Sequence, residues 1–433
     1  MQQMNQITQI KSYCLASLFL TIAGCGQSET QTQSKTEPNN QLVATETSYQ
    51  EILMTALIDA KPGDVIEIPE GRFAFDRSLS LNVDGVTIRG AGMDKSVLTF
   101  KNQVAGAEGL LVTASNFTIE DLAIEDTKGD ALKITEGENI IIRRIRTEWT
   151  DGPKTSNGAY GIYPVQTKHV LMEENLAIAA ADAGIYIGQS KNVVVRNNRA
   201  EYNVAGIEIE NTFDADVYGN VTTNNTGGIL VFNMPNLKQP GARTRVFNND
   251  IFENNTKNFG HEGTPVASIP AGSGIVINSN DQVEIFGNNI RDNNTANIII
   301  SSIFTTGYAD QGMQDDFDPY PETIYIYDNK YIGGGAKPDG FELKALKLAM
   351  TGPTGRLPNI LWDGYVDDTK KIGGVMPDPL RICVQEEDVK VLNVDLPNGS
   401  KNPTIEKSGF DCAHDKLPKV ILPETLIKAA MAN

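Results

Sequence analysis

A lysine, two tyrosines and two glutamates recur in this chain at spacings that would place them side by side. Lys133, Tyr163, Tyr186 and Glu208 each stand two residues after a small residue (Ala131, Gly161, Gly184, Gly206), and Glu210 lies two residues beyond Glu208. Tyr160 immediately precedes one of these starts, and Phe232 takes the place of Glu210 one repeat later. Stacked tyrosine rings suit the faces of sugar rings, a Lys neutralises a uronate carboxylate, and a Glu or a deprotonated Tyr can take a proton from the neighbouring ring carbon. On that chemistry Tyr160, Tyr163, Lys133 and Glu208 are the candidate catalytic groups, and Tyr186, Glu210 and Phe232 the candidate substrate-binding groups. The competing reading is an ordinary exposed strand face on which tyrosines stack for stability.

Metal chemistry has little to build on. The three histidines, His169, His261 and His414, are isolated from one another, without zinc-ligand or haem spacing. Two acidic runs, Asp315, Asp316 and Asp318 in "QDDFDP" and Asp363, Asp367 and Asp368 in "DGYVDD", offer oxygen ligands of the kind Ca²⁺ takes, although neither fits a fixed calcium-loop pattern. No resident cofactor is expected. A net charge of −18 argues against nucleic acid as partner, because such binding needs a basic footprint. An anionic polysaccharide would need a local basic patch or bridging cations, and a neutral glycan would need neither.

What would position the site is a repeat. Aligned on their small-residue starts, "GLLVTASNFTIEDL" (109), "ALKITEGENIIIRRI" (131), "GIYPVQTKHVLMEEN" (161), "GIYIGQSKNVVVRNN" (184), "GIEIENTFDADVYGN" (206), "GILVF" (228), "GIVINSNDQVEIFGN" (274) and "NIIISS" (297) follow at spacings of 22, 30, 23, 22, 22, 46 and 23. A period near 22 with three short β-type runs per unit is the signature of a solenoid coil. Alternation along the first run sends Ile185 and Ile187 inward and Tyr186 outward. The outward column then reads Leu111, Lys133, Tyr163, Tyr186, Glu208, Leu230, Val276, Ile299, so that polar and aromatic groups occupy only the middle rungs. Insertions at 149–160 and 256–273 enter this first sheet while 234–243 and 303–321 leave it, and loops on both sides would wall a groove over it. Asparagines end the second run of most rungs (Asn175, Asn198, Asn220, Asn249, Asn288, Asn329) and return five residues later (Asn203, Asn225, Asn254, Asn293), as ladders at the coil corners would require.

With this pattern the chain resembles the right-handed parallel β-helix proteins of the pectate-lyase-like superfamily over roughly residues 60–335. The opening segments "PGDVIEIPEGRF" and "DGVTIRGAGMDKSVL" are similar to those the superfamily uses. More narrowly, it looks like the bacterial parallel β-helix repeat lipoproteins, kin to the periplasmic NosD-type repeat proteins. The resemblance implies an all-β, single-stranded right-handed parallel β-helix, a pectin-lyase-like solenoid, with an N-terminal capping helix and a small C-terminal extension. "YGIYPV" (160–165) also resembles the Tyr-Gly-Phe-Asp-Pro-His stretch of alginate-type C5 epimerases. Tyr160 matches that family's Tyr, but Tyr163 replaces its Asp and Val165 its His, so the same proton exchange is not implied. The Arg-x-Pro-x-x-Arg of pectate lyases and the carboxylate motifs of polygalacturonases are absent.

The ends complete the organisation. "CLASLFLTIA" is too short an apolar run to span a bilayer and reads as a signal peptide. The "IAGC" that closes it resembles a lipobox, implying cleavage at 1–24 and lipidation of Cys25, with Gly26 favouring the outer membrane. Residues 25–46 read as the lipidated Cys and a flexible tether, 47–338 as the β-helix with its cap, and 339–433 as a C-terminal capping segment. "SYQEILMTALIDA" carries a capping box, Ser48 with Glu51, at the head of an amphipathic helix. Once Cys14 is discarded and Cys25 lipidated, Cys383 and Cys412 remain as a pair for a disulfide. The expectation is an outer-membrane lipoprotein that binds a polysaccharide, and as a lyase, epimerase or hydrolase would modify it. The alternative is a non-catalytic NosD-like accessory that docks another envelope protein.

Overall fold

The computed structural model describes residues 48–431, so the expected signal segment, Cys25 and the expected tether lie outside the described residues. One coil shows how the sequence builds the rest. Ala183–Gly188, Lys191–Arg196 and Arg199–Glu201 are three short strands separated by single corners. Their alternate residues Ile185, Ile187, Val193, Val195 and Ala200 all point into one core and are fully buried. Each such Ile or Val removed from water contributes roughly 1.5–3 kcal/mol, and the pattern recurs in every coil. The first runs stack into a twelve-stranded sheet, and the second and third runs into a nineteen-stranded one. Pairing is parallel from coil to coil, in register Ile185 with Ile207 and Val193 with Ala215. The fold is therefore the expected right-handed parallel β-helix.

The asparagine ladders are present and buried. Oδ1 of Asn198 accepts from the backbone N–H of Asn175 at 3.0 Å and from its Nδ2 at 2.9 Å, and the same double contact passes through Asn220, Asn249, Asn288 and Asn329. The second ladder runs from Asn203 to Asn225, Asn254 and Asn293. The left-handed backbone falls on the residue before each ladder asparagine, at Glu174, Asn197, Asn248 and Asp328. The ladder asparagine is selected by its amide, which satisfies buried backbone groups of the next coil, and not by its tolerance of positive φ.

Helix α1 (Tyr49–Asp59) closes the N-terminal end. Ser48 Oγ accepts from the Glu51 N–H at 3.3 Å while Glu51 Oε2 accepts from the Ser48 N–H at 3.2 Å, the reciprocal capping box. Leu53 and Leu57 plug the open end of the core. At the other end, parallel pairing runs past residue 338: Ile360–Trp362 adds to the twelve-stranded sheet and Ile382–Gln385 to the nineteen-stranded one. The stack ends where Thr404–Glu406 pairs antiparallel with Val391–Asn393. Cys383 and Cys412 are joined, as expected. The chain then turns back along the outer face of the nineteen-stranded sheet. There the Leu417 N–H donates to Glu284 and the Val420 N–H to Asp216, and Leu422, together with Leu426 of the last helix (Glu424–Met431), rests on Ile141, Leu171 and Val194. The C-terminal segment thus extends the solenoid and straps it as well as capping it.

Candidate active site

The middle rungs of the twelve-stranded sheet bring the predicted residues together. Lys133 stands opposite Tyr163, and Tyr186 opposite Glu208; Gly188 stands opposite Glu210, which is itself opposite Phe232. The rings of Tyr160, Tyr163 and Tyr186 form a mutual cluster with centroids 4.4, 4.6 and 4.8 Å apart. Lys133 Nζ lies 5.0 Å from the Tyr163 ring centre. Tyr186 does not stand upright on the sheet. Its side chain lies along its own strand over Gly188, where an added Cβ would meet the hydroxyl at 2.1 Å, and its hydroxyl donates to Glu210 Oε1 at 2.7 Å. Gly188 is thus a glycine because the tyrosine occupies the space a side chain would need.

The expected open groove floor is in fact largely roofed. Tyr186 is 3 % exposed, Glu208 2 % and Phe232 0 %. The loops forecast as walls fold inward and build a second apolar core with this face, through Met234, Val266, Ile269 and Ile303, with Phe304 and Tyr308 packed against it. The Tyr308 hydroxyl ties two of these loops by donating to the Gly263 carbonyl at 2.8 Å. Phe232 therefore does not lie on an open sugar-binding surface as expected; it is packed beneath the roof. Tyr160, Tyr163, Lys133 and Glu210 remain half-buried at the margin.

Electrostatics also reassigns roles. Burial, followed by the nearby carboxyls, pushes the Tyr160, Tyr163 and Tyr186 hydroxyls well above the ordinary phenol range. A deprotonated tyrosine as base is thereby disfavoured, and these hydroxyls act as donors. Beneath them lies an acid that the sequence reading missed: Asp182, 5 % exposed, within hydrogen-bond reach of Glu208. Oδ1 of Asp182 and Oε2 of Glu208 are both buried without a donor. Two adjacent carboxyls in such a place cannot both ionise, and one proton between them satisfies both. Burial and then the charge of Glu210 raise Asp182 to about 8; burial and then Asp182 raise Glu208. Glu210 is raised by burial and held back by the Tyr186 hydroxyl. Glu208 was expected as a proton acceptor, and its surroundings make it a carboxyl that keeps its proton.

The lone cation of the patch, Lys133, is flanked by Asp130 at 3.5 Å and Glu108 at 3.9 Å, so its charge is already compensated. Asp182 did leave a signal. It is the single acid in "AIAAADAG", where Ala179, Ala180 and Ala181 are wholly buried around it. Asp130 and Glu108 had no comparable mark. Several acids of the runs offered for Ca²⁺ are engaged otherwise. Asp318 and Asp367 converge with Glu322 on the Lys370 ammonium, at 2.6, 3.9 and 2.9 Å, and Asp363 is buried, accepting from the N–H and hydroxyl of Ser302. Among the described residues no group of three or more His, Cys, Asp or Glu could hold a metal ion.

Comparison with known proteins places this geometry in a lineage of folds. Residues 79–238 match the family described as right handed beta helix region. The structure superposes on the A-module of the mannuronan C-5 epimerase AlgE4 of Azotobacter vinelandii with a TM-score of 0.51 at 18 % identity, covering 73 % of this chain and 87 % of that one. Endopolygalacturonase I from Stereum purpureum gives a TM-score of 0.43 at 12 % identity over 65 % of this chain and 95 % of that one. No curated protein sequence matches the chain. With part of its repeats matched and its coils superposed, the chain has the right-handed parallel β-helix fold.

Proposed function

We propose that this protein binds a polysaccharide at the margin of the tyrosine cluster and acts on it by acid–base chemistry, with the Asp182–Glu208 pair as proton donor. The observation that carries this reading is the pair itself. A carboxyl that holds its proton at neutral pH is what protonation of a glycosidic oxygen needs, and a fold seldom buries unpaired acids without use. Tyr160 and Tyr163 supply ring faces and hydroxyl donors at the half-exposed margin, where Glu210 is also half-buried. The fold shared with a protein named for acting on mannuronan supports a carbohydrate as the ligand. Around the site the acids Asp130, Glu108, Asp182, Glu208 and Glu210 outnumber Lys133, which favours a neutral glycan over a polyuronate and hydrolysis over epimerisation. Lipidation at Cys25 would hold the protein at the outer membrane, where such a glycan is met.

A second reading has its own observation. The burial of Tyr186, Glu208 and Phe232 suits a non-catalytic, NosD-like accessory that docks an envelope protein and uses the cluster only as packing. Incubation with a panel of neutral and uronate-containing polysaccharides separates the two, scoring binding, new reducing ends and unsaturated uronate. New reducing ends from a neutral glycan support the first reading. Binding without product removes the enzyme, and no binding removes both glycan readings in favour of the accessory.

A further inference from the structure

Two rungs beyond the tyrosines the same outward column turns aliphatic at Leu230, and Val276, Ile299 and Leu361 follow in successive coils. Helix α2 (Phe341–Thr351) lies over these side chains and presents Leu343, Leu346 and Ala349 toward them. None of its residues is fully buried, and Leu343, Leu346 and Met350 pack half-buried against Leu361, Leu392 and Val394. Between helix and sheet a cavity of about 870 Å³ remains, completed by Ile269 and Pro270 of the roof loop and by Val394 and Leu396. That volume falls within the range of roughly 300–1,000 Å³ at which clefts hold small organic ligands, and its lining is mainly hydrocarbon with a few polar groups, as in such sites.

The polar groups decide the class of ligand. Ser301, Thr305, Thr306 and Ser400 line the cavity, together with the acids Glu342 and Asp363, and no Lys, Arg or His does. A carboxylate, sulfate or phosphate headgroup would meet negative charge with nothing to compensate it. Hydroxyls of a sugar-like headgroup would find an acceptor in Glu342 and partners in the hydroxyl side chains, Asp363 being already engaged by Ser302 and Tyr365. We propose that the cavity under α2 binds the hydrocarbon chain of an amphiphile with an uncharged, hydroxyl-bearing headgroup. The cavity adjoins the acid–tyrosine cluster at Phe232, but the proposal does not depend on the function proposed for that cluster.

Trp362 borders the cavity from the core side, where its ring meets Phe410 edge-on, whereas the other tryptophan, Trp149, is 5 % exposed and hydrogen-bonded to the Thr127 carbonyl elsewhere in the stack. Bromine quenches a tryptophan only in near contact, so the test titrates the full chain with bromine-substituted dodecyl maltoside below its micellar concentration. Saturable loss of the emission that a Trp362→Phe variant lacks is expected. Unbrominated decyl, dodecyl and tetradecyl maltosides should displace the probe with affinity rising roughly fourfold per methylene, as burial of each CH₂ from water requires. Dodecanoate should compete at least tenfold more weakly than dodecyl maltoside. Ala349→Phe, which fills the cavity, should abolish quenching while leaving the unfolding midpoint in place. Absence of saturable quenching, or equal displacement at all chain lengths, would overturn the proposal without recourse to any variant. Dodecanoate competing as well as the maltoside would overturn the headgroup assignment.

Discussion

The Tyr186 hydroxyl reaches Glu210 on the next coil, 2.7 Å away, by lying flat over Gly188. Three residues therefore form one device: a glycine that leaves space, a ring that fills it and a carboxyl that accepts. Tyr186→Phe should cost about 1–3 kcal/mol, because it leaves the half-buried Glu210 carboxyl without its donor. Gly188→Ala should cost a similar amount by pushing the ring away, typically about 1–3 kcal/mol for overpacking. If both act through the same contact, the double variant will be less destabilised than the sum of the singles, a coupling that urea unfolding can measure. Additive losses would show that the hydrogen bond and the glycine are independent.

The buried acids set the sign of the pH dependence. Asp182 is raised to about 8, Asp281 to about 7 and Asp363 to about 6, in each case first of all by burial. An acid whose folded pKa exceeds its unfolded value holds more protons in the native state. Its contribution is therefore complete below the unfolded value near 4 and is lost as pH rises through the folded one. Between about pH 4 and 8 each such group lowers stability by up to about 1.4 kcal/mol per pH unit while its protonation differs between the two states. Urea midpoints should fall from pH 5 to pH 8, and an Asp182→Asn variant should show a shallower fall. A midpoint that rises over this interval would contradict the assignment of these acids as protonated.

The ladders give a stability prediction that separates neighbouring asparagines. Asn220 Oδ1 accepts twice from Asn198, and its Nδ2 donates to Asn249 and to the Val195 carbonyl, all buried. Asn220→Leu should cost about 3 kcal/mol or more, since several buried polar groups lose their partners at about 1–3 kcal/mol each. Asn197, one coil earlier, is exposed with φ of 56° and matters through its backbone; Asn197→Ala should cost only about 1–2 kcal/mol. Chemical denaturation of the two variants checks the order.

The repeat was legible because a solenoid writes its register into the chain: the spacing from Gly184 to Gly206 predicts that Tyr186 faces Glu208, and it does. Period-2 alternation located the site's column for the same reason. What alternation cannot see is what covers a face. Met234, Ile269, Ile303 and Tyr308 come from insertions with no period, so their inward folding, and the burial of Phe232 beneath them, had no signature in spacing. Nor could the column rule find Asp182, which sits at a coil corner outside the strand alternation, or Lys370, which meets Asp318 from 52 residues away.

Asp182 carries the decisive test, because function and stability pull on it in opposite directions. As a proton donor it must be an acid; as a buried group with an unpartnered Oδ1 it is a liability whenever it ionises. Asp182→Asn keeps the shape, removes the ionisation and offers Glu208 Oε2 an amide donor. At pH 8 the variant should therefore unfold at higher urea than the parent, while release of reducing ends from the responsive glycan should fall about 10²-fold or more, the usual scale of a lost general acid. Glu208→Gln should behave alike, since either residue can carry the shared proton, and the double variant should lose little more activity than the singles. A cluster that serves only as packing would gain stability in the same variants, and glycan binding and turnover would be left where they were.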